Sequence, residues 1–502
     1  MPVPESDPLT RRQLQAATAV LAALSPRVTE LGAIFASAGY ELALVGGPVR
    51  DAFLGRRSMD FDLTTDAPPE RTKELVEGWA DQVWTVGIQF GTVGLRKGNS
   101  HFEITTYRSD SYDRLSRKPV VSYGRSLTDD LSRRDFTVNA MAARLPGYQL
   151  VDPFGGVADL RLGRLRTPGP PRDSFSDDPL RILRAARFTA ELGFTVAPEA
   201  REAMSELAGL LAPPRISAER IEGELTKLLR SSQVGGPAAG IALLTETGVA
   251  DEVLPEIPAL QLEADEHLRH KDVYQHSLTV LTQAIELESR YGLERDLVLR
   301  LAALLHDIGK PKTRALLPDG RVGFHHHEVV GANMAHKRLS QLRYGKDVVA
   351  DVSRLIELHL RFHGFSEGEW TDSAVRRYVT DAGPLLTRLH ALTRADCTTR
   401  NKAKAQRLAA AYDSLEARIA ELAAQEELDR IRPDLNGDQI MAILGIPPGP
   451  LVGQAWTYLK ELRIERGPLD HDVAVAELLR WAAAAGLQVP PGEGEGGESR
   501  GT

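Results

Sequence analysis

Two aspartates one residue apart, in Met59-Asp60-Phe61-Asp62-Leu63, are the residues of this chain whose types and spacing point most directly to chemistry. In an extended segment successive side chains alternate faces, so Met59, Phe61 and Leu63 share one side and Asp60 and Asp62 the other. Two carboxylates held together repel each other and gain nothing structurally. They can, however, hold divalent cations ~3.5–4 Å apart, which activate an attacking hydroxyl and neutralise a phosphate chain. A later segment, His101-Phe102-Glu103-Ile104-Thr105, alternates in the same way, with Phe102 and Ile104 inward. Glu103 is expected as a third carboxylate beside the pair.

The elements that must position these groups read as a strand ending in two glycines, Leu42-Ala43-Leu44-Val45-Gly46-Gly47, followed by a helix with Pro48 in its first turn and Arg50 one turn in. Backbone amides at Gly46 and Gly47, with the Arg50 guanidinium, can receive a phosphate. Gly46-Gly47, Arg50, Asp60, Asp62 and Glu103, in this order, resemble the nucleotidyltransferase superfamily shared by polymerase beta, poly(A) polymerases and CCA-adding enzymes. Between Tyr107 and Leu131 no period is sustained, and a loop near the site is expected. Arg133-Arg134-Asp135-Phe136-Thr137-Val138-Asn139-Ala140 then opens with two cations suited to a triphosphate or a sugar. It resembles a motif of the bacterial CCA-adding and poly(A) polymerase family. Which of Arg133 and Arg134 meets the nucleotide is open.

Asp177-Asp178-Pro179-Leu180-Arg181-Ile182-Leu183-Arg184-Ala185-Ala186-Arg187-Phe188 predicts a helix with acidic residues and Pro in its first turn. Its charged stripe runs through Asp178, Arg181, Arg184 and Arg187, with Asp178 and Arg181 as close neighbours. Cytosine and adenine each present an amino donor beside a ring-nitrogen acceptor, a pattern that a carboxylate and a guanidinium match. Uracil and guanine present the reverse and would leave buried groups unpaired. The segment resembles the family's Glu-Asp-x-x-Arg nucleotide-selecting element, with Asp177 in place of Glu. The resemblance implies base reading by Asp178 and Arg181, with Arg184 and Arg187 nearer the phosphates. Ile216-Ser217-Ala218-Glu219-Arg220 reads as a capped helix start and matches the family's neck.

Ten of the 13 histidines fall between His267 and His363, and clustering of that kind favours ligands. His306-Asp307 closes an apolar helix that Gly309 and Pro311 terminate. The order His276, His306, Asp307, His327, His359, Asp396 resembles the HD phosphohydrolase superfamily, which implies one or two divalent ions of unspecified identity held by these six residues. The run His325-His326-His327 leaves open which imidazole binds, and His363 competes with His359. Leu435-Asn436-Gly437-Asp438 through Gly453 resembles the C-terminal segment of CCA-adding enzymes that carry HD domains.

The 502 residues, 42% of them hydrophobic and 26% charged, are enough for several cores, and no apolar run approaches the ~18 residues of a membrane span. Cys397 is the only cysteine, so no internal disulfide forms, and the N-terminus reads as no secretory signal; a cytoplasmic protein is expected. A net charge of −8 argues against a protein coated in positive charge to hold nucleic acid, so any RNA contact must use a local basic patch; Arg400, Lys402, Lys404 and Arg407 could touch tRNA phosphates but read first as a solvated helix face. The expected fold is an α+β polymerase beta-like nucleotidyltransferase head followed by a long all-α body that includes an HD domain. The expected segments are an irregular N-terminus (1–25), head (26–165), helical neck (166–260), HD domain (261–430), helical tRNA-binding segment (431–487) and disordered tail (488–502). Separators are expected at Pro168 to Ser176, Ala212 to Arg215, Glu256 to Pro258 and Arg432 to Asn436.

The resemblance implies an enzyme that adds C, C and A to the tRNA 3′ end from CTP and ATP without a template, with Mg²⁺ on Asp60 and Asp62. The HD site adds possible phosphohydrolase activity, for which 2′,3′-cyclic nucleotides are one substrate class. The competing readings are a bacterial poly(A) polymerase, an enzyme that adds only CC or only A, and an HD-type phosphohydrolase with an inert head. Oligomeric state is open.

Overall fold

The computed structural model of the chain describes residues 18–23, 26–56, 60–110, 121–123, 126–212, 215–261, 273–318, 322–362, 370–397, 401–426 and 432–487. The chain forms two compact units, Met1–Pro258 and Ala259–Thr502.

The first unit is built on a seven-stranded sheet of order β3-β4-β5-β2-β1-β8-β9. Its strands are β1 (Leu42–Val45), β2 (Asp60–Thr65), β3 (Gln82–Trp84), β4 (Thr92–Lys97), β5 (Ser100–Thr106), β8 (Ala142–Arg144) and β9 (Gln149–Val151). β1 is apolar and buried throughout, as a central strand covered on both faces must be. β2 lies parallel to β5 with Phe61 opposite Phe102 and Asp62 opposite Glu103. The inward rings Phe61 and Phe102 stack at 5.2 Å, and burial of such a pair locks the register that turns the alternate carboxylates outward. Met59 lies outside the described residues.

The stretch after Tyr107 is more regular than its composition suggested. It contains a strand pair, β6 (Arg108–Asp110) with β7 (Val121–Tyr123), and a helix, Leu127–Ser132, whose cap Ser126 accepts from the Asp129 amide. Short strands give too few periods to be read locally. The N-terminal expectation also needs correction: residues 18–23 are helical and Leu21 is buried.

Helix α1 (Gly47–Phe53) follows β1, and helices α2 (Pro171–Asp177), α3 (Leu180–Leu192) and α4 (Ala218–Leu229) carry the neck. α2 occupies the stretch that was expected to be a separator, because Pro171 sits at its first turn. The expected helix start at Asp177 is therefore two helices: Asp177 ends α2, Asp178 is extended (φ −137°, ψ 96°), and α3 begins at Leu180. α3 ends at Gly193, whose φ of 72° suits the left-handed cap. A parallel pair, β10 (Arg164–Leu165) with β11 (Thr195–Val196), ties the end of the head to the neck, so head and neck form one unit.

Among the described residues the second unit is helical apart from the hairpin β12 (Arg314–Leu316) and β13 (Val322–Phe324), a local departure from the all-α expectation for the body. Helices α5 (Val273–Leu287), α6 (Leu297–Leu305), α7 (His327–Gln341), α8 (Lys346–Leu358) and α9 (Leu386–Asp396) pack together. Beyond them, α10 (Gly437–Leu444), α11 (Pro450–Arg466) and α12 (His471–Ala484) enclose a core of Leu435, Ile440, Leu444, Leu459 and Leu478. Asn436 opens that segment with a capping box to Gln439. Among the described residues no helix is long and apolar enough to cross a membrane.

Candidate functional site

On β2, Asp60 and Asp62 are exposed while Phe61 and Leu63 are buried, and on β5 Glu103 is exposed directly beside Asp62. Three carboxylates therefore share one face. Gly46 closes against them: its φ of 73° demands glycine, and a Cβ placed there would lie 3.1 Å from an Arg134 nitrogen and 3.9 Å from an Asp62 oxygen. Arg134 thus reaches the glycine turn and the carboxylates while pairing with Asp130 at 3.2 Å. Arg133 contributes differently, since its carbonyl accepts a hydrogen bond from Arg181. Crowding by protein raises the Asp62 pKa; Arg134 offsets part of the rise, the Asp60 charge adds to it, and Arg184 offsets a further part.

Arg50 is buried, with Nη1 donating to Asn139 at 2.9 Å and Nε donating to Asp51. Asn139 in turn donates to Asp135, whose other oxygen accepts from Arg184 at 2.7 Å. Burial works to raise the Asp135 pKa, yet the Arg184 charge and the Asn139 bond hold it below the usual carboxylate range. The chain Arg50–Asn139–Asp135–Arg184 joins α1 and the head to α3. Arg187 faces the neck instead, buried against Glu224 of α4 at 3.0 Å. Arg50, Arg184 and Arg187 all lie over the Phe188 ring, 4.4–5.4 Å from its centroid.

Asp178 and Arg181 are one turn apart but have separate partners. Arg181 donates to the Ser174 hydroxyl at 2.7 Å and to the Arg133 carbonyl, whereas both Asp178 oxygens meet Arg220 at 3.2 and 3.3 Å.

In the second unit the structure gathers all six expected HD residues. His276, His306 and Asp396 form one group of ligand atoms and Asp307, His327 and His359 an adjoining one. Asp307 joins them, with Oδ2 3.2 Å from His306 Nε2 and Oδ1 3.4 Å from His327 Nε2. His306, His327 and His359 each donate Nδ1–H to the carbonyl three residues earlier, at 3.0, 2.8 and 2.6 Å. That bond fixes the ring and turns Nε2 inward, the arrangement that suits a metal-bound imidazole. Nε2 of His306 and of His327 and Oδ2 of Asp307 are buried without a well-aligned hydrogen bond, so the donor set fits a divalent ion. Burial opposes charge on His306, but Asp307 and Asp396 push its pKa up to about 10; burial and the His306 charge drive His359 down to about 3. His327 is the inward member of its run, with His325 and His326 exposed. His363 lies outside the described residues.

Residues 42–166 match the family model of the Poly A polymerase head domain, 193–260 that of the probable RNA and SrmB-binding site of polymerase A, and 273–423 that of the HD domain. Over 446 residues, 88% of this chain and 95% of its counterpart, the sequence is 35% identical to the A-adding tRNA nucleotidyltransferase of Deinococcus radiodurans. The chain belongs to the tRNA nucleotidyltransferase family. A CCA-adding enzyme of Levilactobacillus brevis is 37% identical over 262 residues, 52% of this chain and 63% of that enzyme. The crystal structure of the Bacillus stearothermophilus CCA-adding enzyme in complex with CTP matches at 25% identity and a TM-score of 0.62, covering 95% of this chain and 99% of that one. The Thermotoga maritima CCA-adding enzyme complexed with tRNA shares the fold, at 19% identity and a TM-score of 0.60. Divalent-metal dependence is a property of both the nucleotidyltransferase and the HD families.

Several residues of this tRNA nucleotidyltransferase escaped the sequence reading. Asp135 and Asn139 stood inside a quoted motif without a role. Lys310, 2.9 Å from Asp307, is one turn beyond the His-Asp pair, a spacing that flags it. His101, opposite Asp60 in register and stacked on Trp84 with ring planes 13° apart, shares the outward face of Glu103 by the same alternation. Replacing Asp307, the residue that touches both ligand groups, is expected to remove divalent ions from the second unit. With the head site removed by Asp62→Asn in both proteins, Asp307→Ala should show no divalent ion by elemental analysis after equilibration with Mn²⁺, against retained metal when Asp307 is kept. Equal metal content in the two would remove Asp307 from the ligand set.

Proposed function

We propose that the chain adds C, C and A to the 3′ end of tRNA from CTP and ATP, without a nucleic-acid template. The observation that carries this reading is the tie between α3 and segment 133–135. It sets the residues matched to base reading, Asp178 and Arg181, against the segment whose Arg134 lies beside Gly46 and Asp62. In this reading Asp178 accepts the exocyclic amino group of cytosine or adenine, and Arg181 donates to the adjacent ring nitrogen. Two bonds from Arg181 to Ser174 and Arg133 keep its remaining donors aimed. Arg134 and the Gly47 amide receive the triphosphate, while the Gly46 amide bonds to the Met141 carbonyl and Arg50 and Arg184 hold that wall in place. Arg187, paired with Glu224, braces α3 on α4.

Asp60 and Asp62, with Glu103 beside them, are the residues that would hold a divalent ion, Mg²⁺ in this reading; when bound it supplies charge neutralisation and a more acidic 3′-hydroxyl. The 3′-hydroxyl attacks the α-phosphorus in line, pyrophosphate leaves, and no covalent enzyme intermediate forms. The HD cluster would add hydrolysis of small phosphoesters such as 2′,3′-cyclic nucleotides. A cytoplasmic setting, where tRNA, CTP and ATP meet, follows from the activity.

A second reading, addition of A alone, is favoured by one observation: the relative matched along 88% of this chain is an A-adding enzyme. The test supplies labelled CTP or ATP to tRNA transcripts ending before CCA, after C and after CC, and reads product length on a gel. Two C and one A followed by a stop is the expected result. Incorporation of A only, on the transcript ending in CC, would replace it with the second reading, and long A tails would replace both.

A further inference from the structure

The carboxylate assigned to base reading is held by a residue from another helix. Asp178 lies in the extended link between α2 and α3, where no helical backbone fixes its side chain. One Arg220 nitrogen, Nη2, meets both of its oxygens, at 3.2 and 3.3 Å, and Oδ1 also accepts from the Leu180 amide at 3.3 Å. Arg220 is itself well placed to hold something still. It stands in the first turn of α4, where its amide bonds to the capping hydroxyl of Ser217, and α4 is fixed to α3 by the buried Arg187–Glu224 pair. The Arg220 and Asp178 side chains remain 51% and 34% exposed, so the pair is open to a ligand.

We propose that Arg220 is a positioning residue for nucleotide selection: it orients the Asp178 carboxylate so that its outward lone pairs accept the amino group of cytosine or adenine. The inference rests on the reading of Asp178 given above. A carboxylate has about four lone-pair sites, and those toward Arg220 are taken, so the others are aimed rather than free to rotate. A carboxylate that rotates can recruit water or tilt to meet an N–H, and either rearrangement lowers the penalty for uracil and guanine. An ion pair this exposed contributes little to folding stability, so loss of selection and loss of fold are separable.

The test is single-nucleotide addition by the full-length enzyme, with kcat and KM measured for ATP and GTP on tRNA ending in CC, and for CTP and UTP on tRNA ending before CCA. The ATP arm applies whether the enzyme adds C, C and A or A alone. For Arg220→Ala, the ratio of kcat/KM for ATP over GTP is expected to fall about tenfold, through a lower KM for GTP together with a higher KM for ATP. This corresponds to a loss of about 1.4 kcal/mol. Arg220→Lys should recover most of the ratio, because a single nitrogen makes the contact. A ratio unchanged in Arg220→Ala, or ATP and GTP slowed equally, overturns the proposal, as does an Arg220→Lys enzyme no better than Arg220→Ala. Asp178→Ala separates the two levels. If it leaves the ratio intact, the reading of Asp178 itself fails; if it collapses the ratio and Arg220→Ala does not, only the positioning role fails.

Discussion

Asp62→Asn is expected to lower nucleotide addition at least about 10³-fold while leaving the melting temperature in EDTA unchanged or higher. Loss of activity follows from removing one of two carboxylates that share an outward face and would hold the divalent ion. An ion stabilising developing charge contributes several kcal/mol, and each ~1.4 kcal/mol is a factor of ten. The stability half of the prediction follows from the pKa. Protein crowded around Asp62 raises it, and the Asp60 charge adds to the rise. A carboxyl whose pKa is higher folded than unfolded favours the folded state only where it stays protonated; as pH rises through the unfolded and then the folded value, that advantage is lost. At neutral pH the ionised Asp62 therefore weakens the metal-free fold, and the isosteric amide relieves it. Scanning calorimetry in EDTA and in excess Mg²⁺ checks this: Mg²⁺ should raise the melting temperature of the parent protein more than that of Asp62→Asn. A drop of several degrees for Asp62→Asn in EDTA would instead make the carboxylate a structural group.

Glu288→Ala should destabilise the second unit by about 3–5 kcal/mol. Glu288 and Arg300 are both buried and meet through two bonds of 2.7 Å, and Glu288 also accepts from the Arg295 and Asp296 amides. Removing the acid leaves a guanidinium in the interior with its main counter-charge gone. The consequence reaches the cluster of HD residues, because Arg300 is in α6, which is capped by His306 and followed at once by Asp307. Glu288→Leu with Arg300→Met should recover most of the loss, since an apolar pair of similar volume replaces a buried ion pair at little cost. About 1 kcal/mol for each unpaired backbone amide should remain lost. Urea unfolding monitored by far-UV circular dichroism reads these differences. A Glu288→Ala protein within 1 kcal/mol of the parent would show that water reaches Arg300 once the acid is gone.

Period-two alternation was enough to read the face that carries the three carboxylates. Asp60 and Asp62 point outward because Phe61 and Leu63 have a core to fill, and the same rule placed Glu103. The head's outer loop was not legible, because three-residue strands such as Arg108–Asp110 and Val121–Tyr123 are held by pairing with each other rather than by their own pattern. The start of α3 was misplaced for a related reason. Asp177, Asp178 and Pro179 are what a helix start requires, but they are equally compatible with a stop followed by a new start, and the hydrogen bonds of Arg181 and Arg220 across the neck favour the second.

What the sequence determined by itself is therefore the chemistry available: which carboxylates share a face, which imidazoles and acids cluster, and which pair offers the acceptor and donor that cytosine and adenine would match. These are consequences of backbone geometry and of side-chain donors and acceptors, both local properties. Tertiary structure alone decided how that chemistry is aimed. His326 adopts φ 59° just before α7, and that turn sends His327 inward while His325 and His326 stay in solvent. Arg134 rather than Arg133 reaches the glycine turn, and Asp178 finds its partner 42 residues away in α4. Such choices are set by which distant segments pack together, and packing depends on the shape and burial of the whole unit, which no window of neighbouring residues contains.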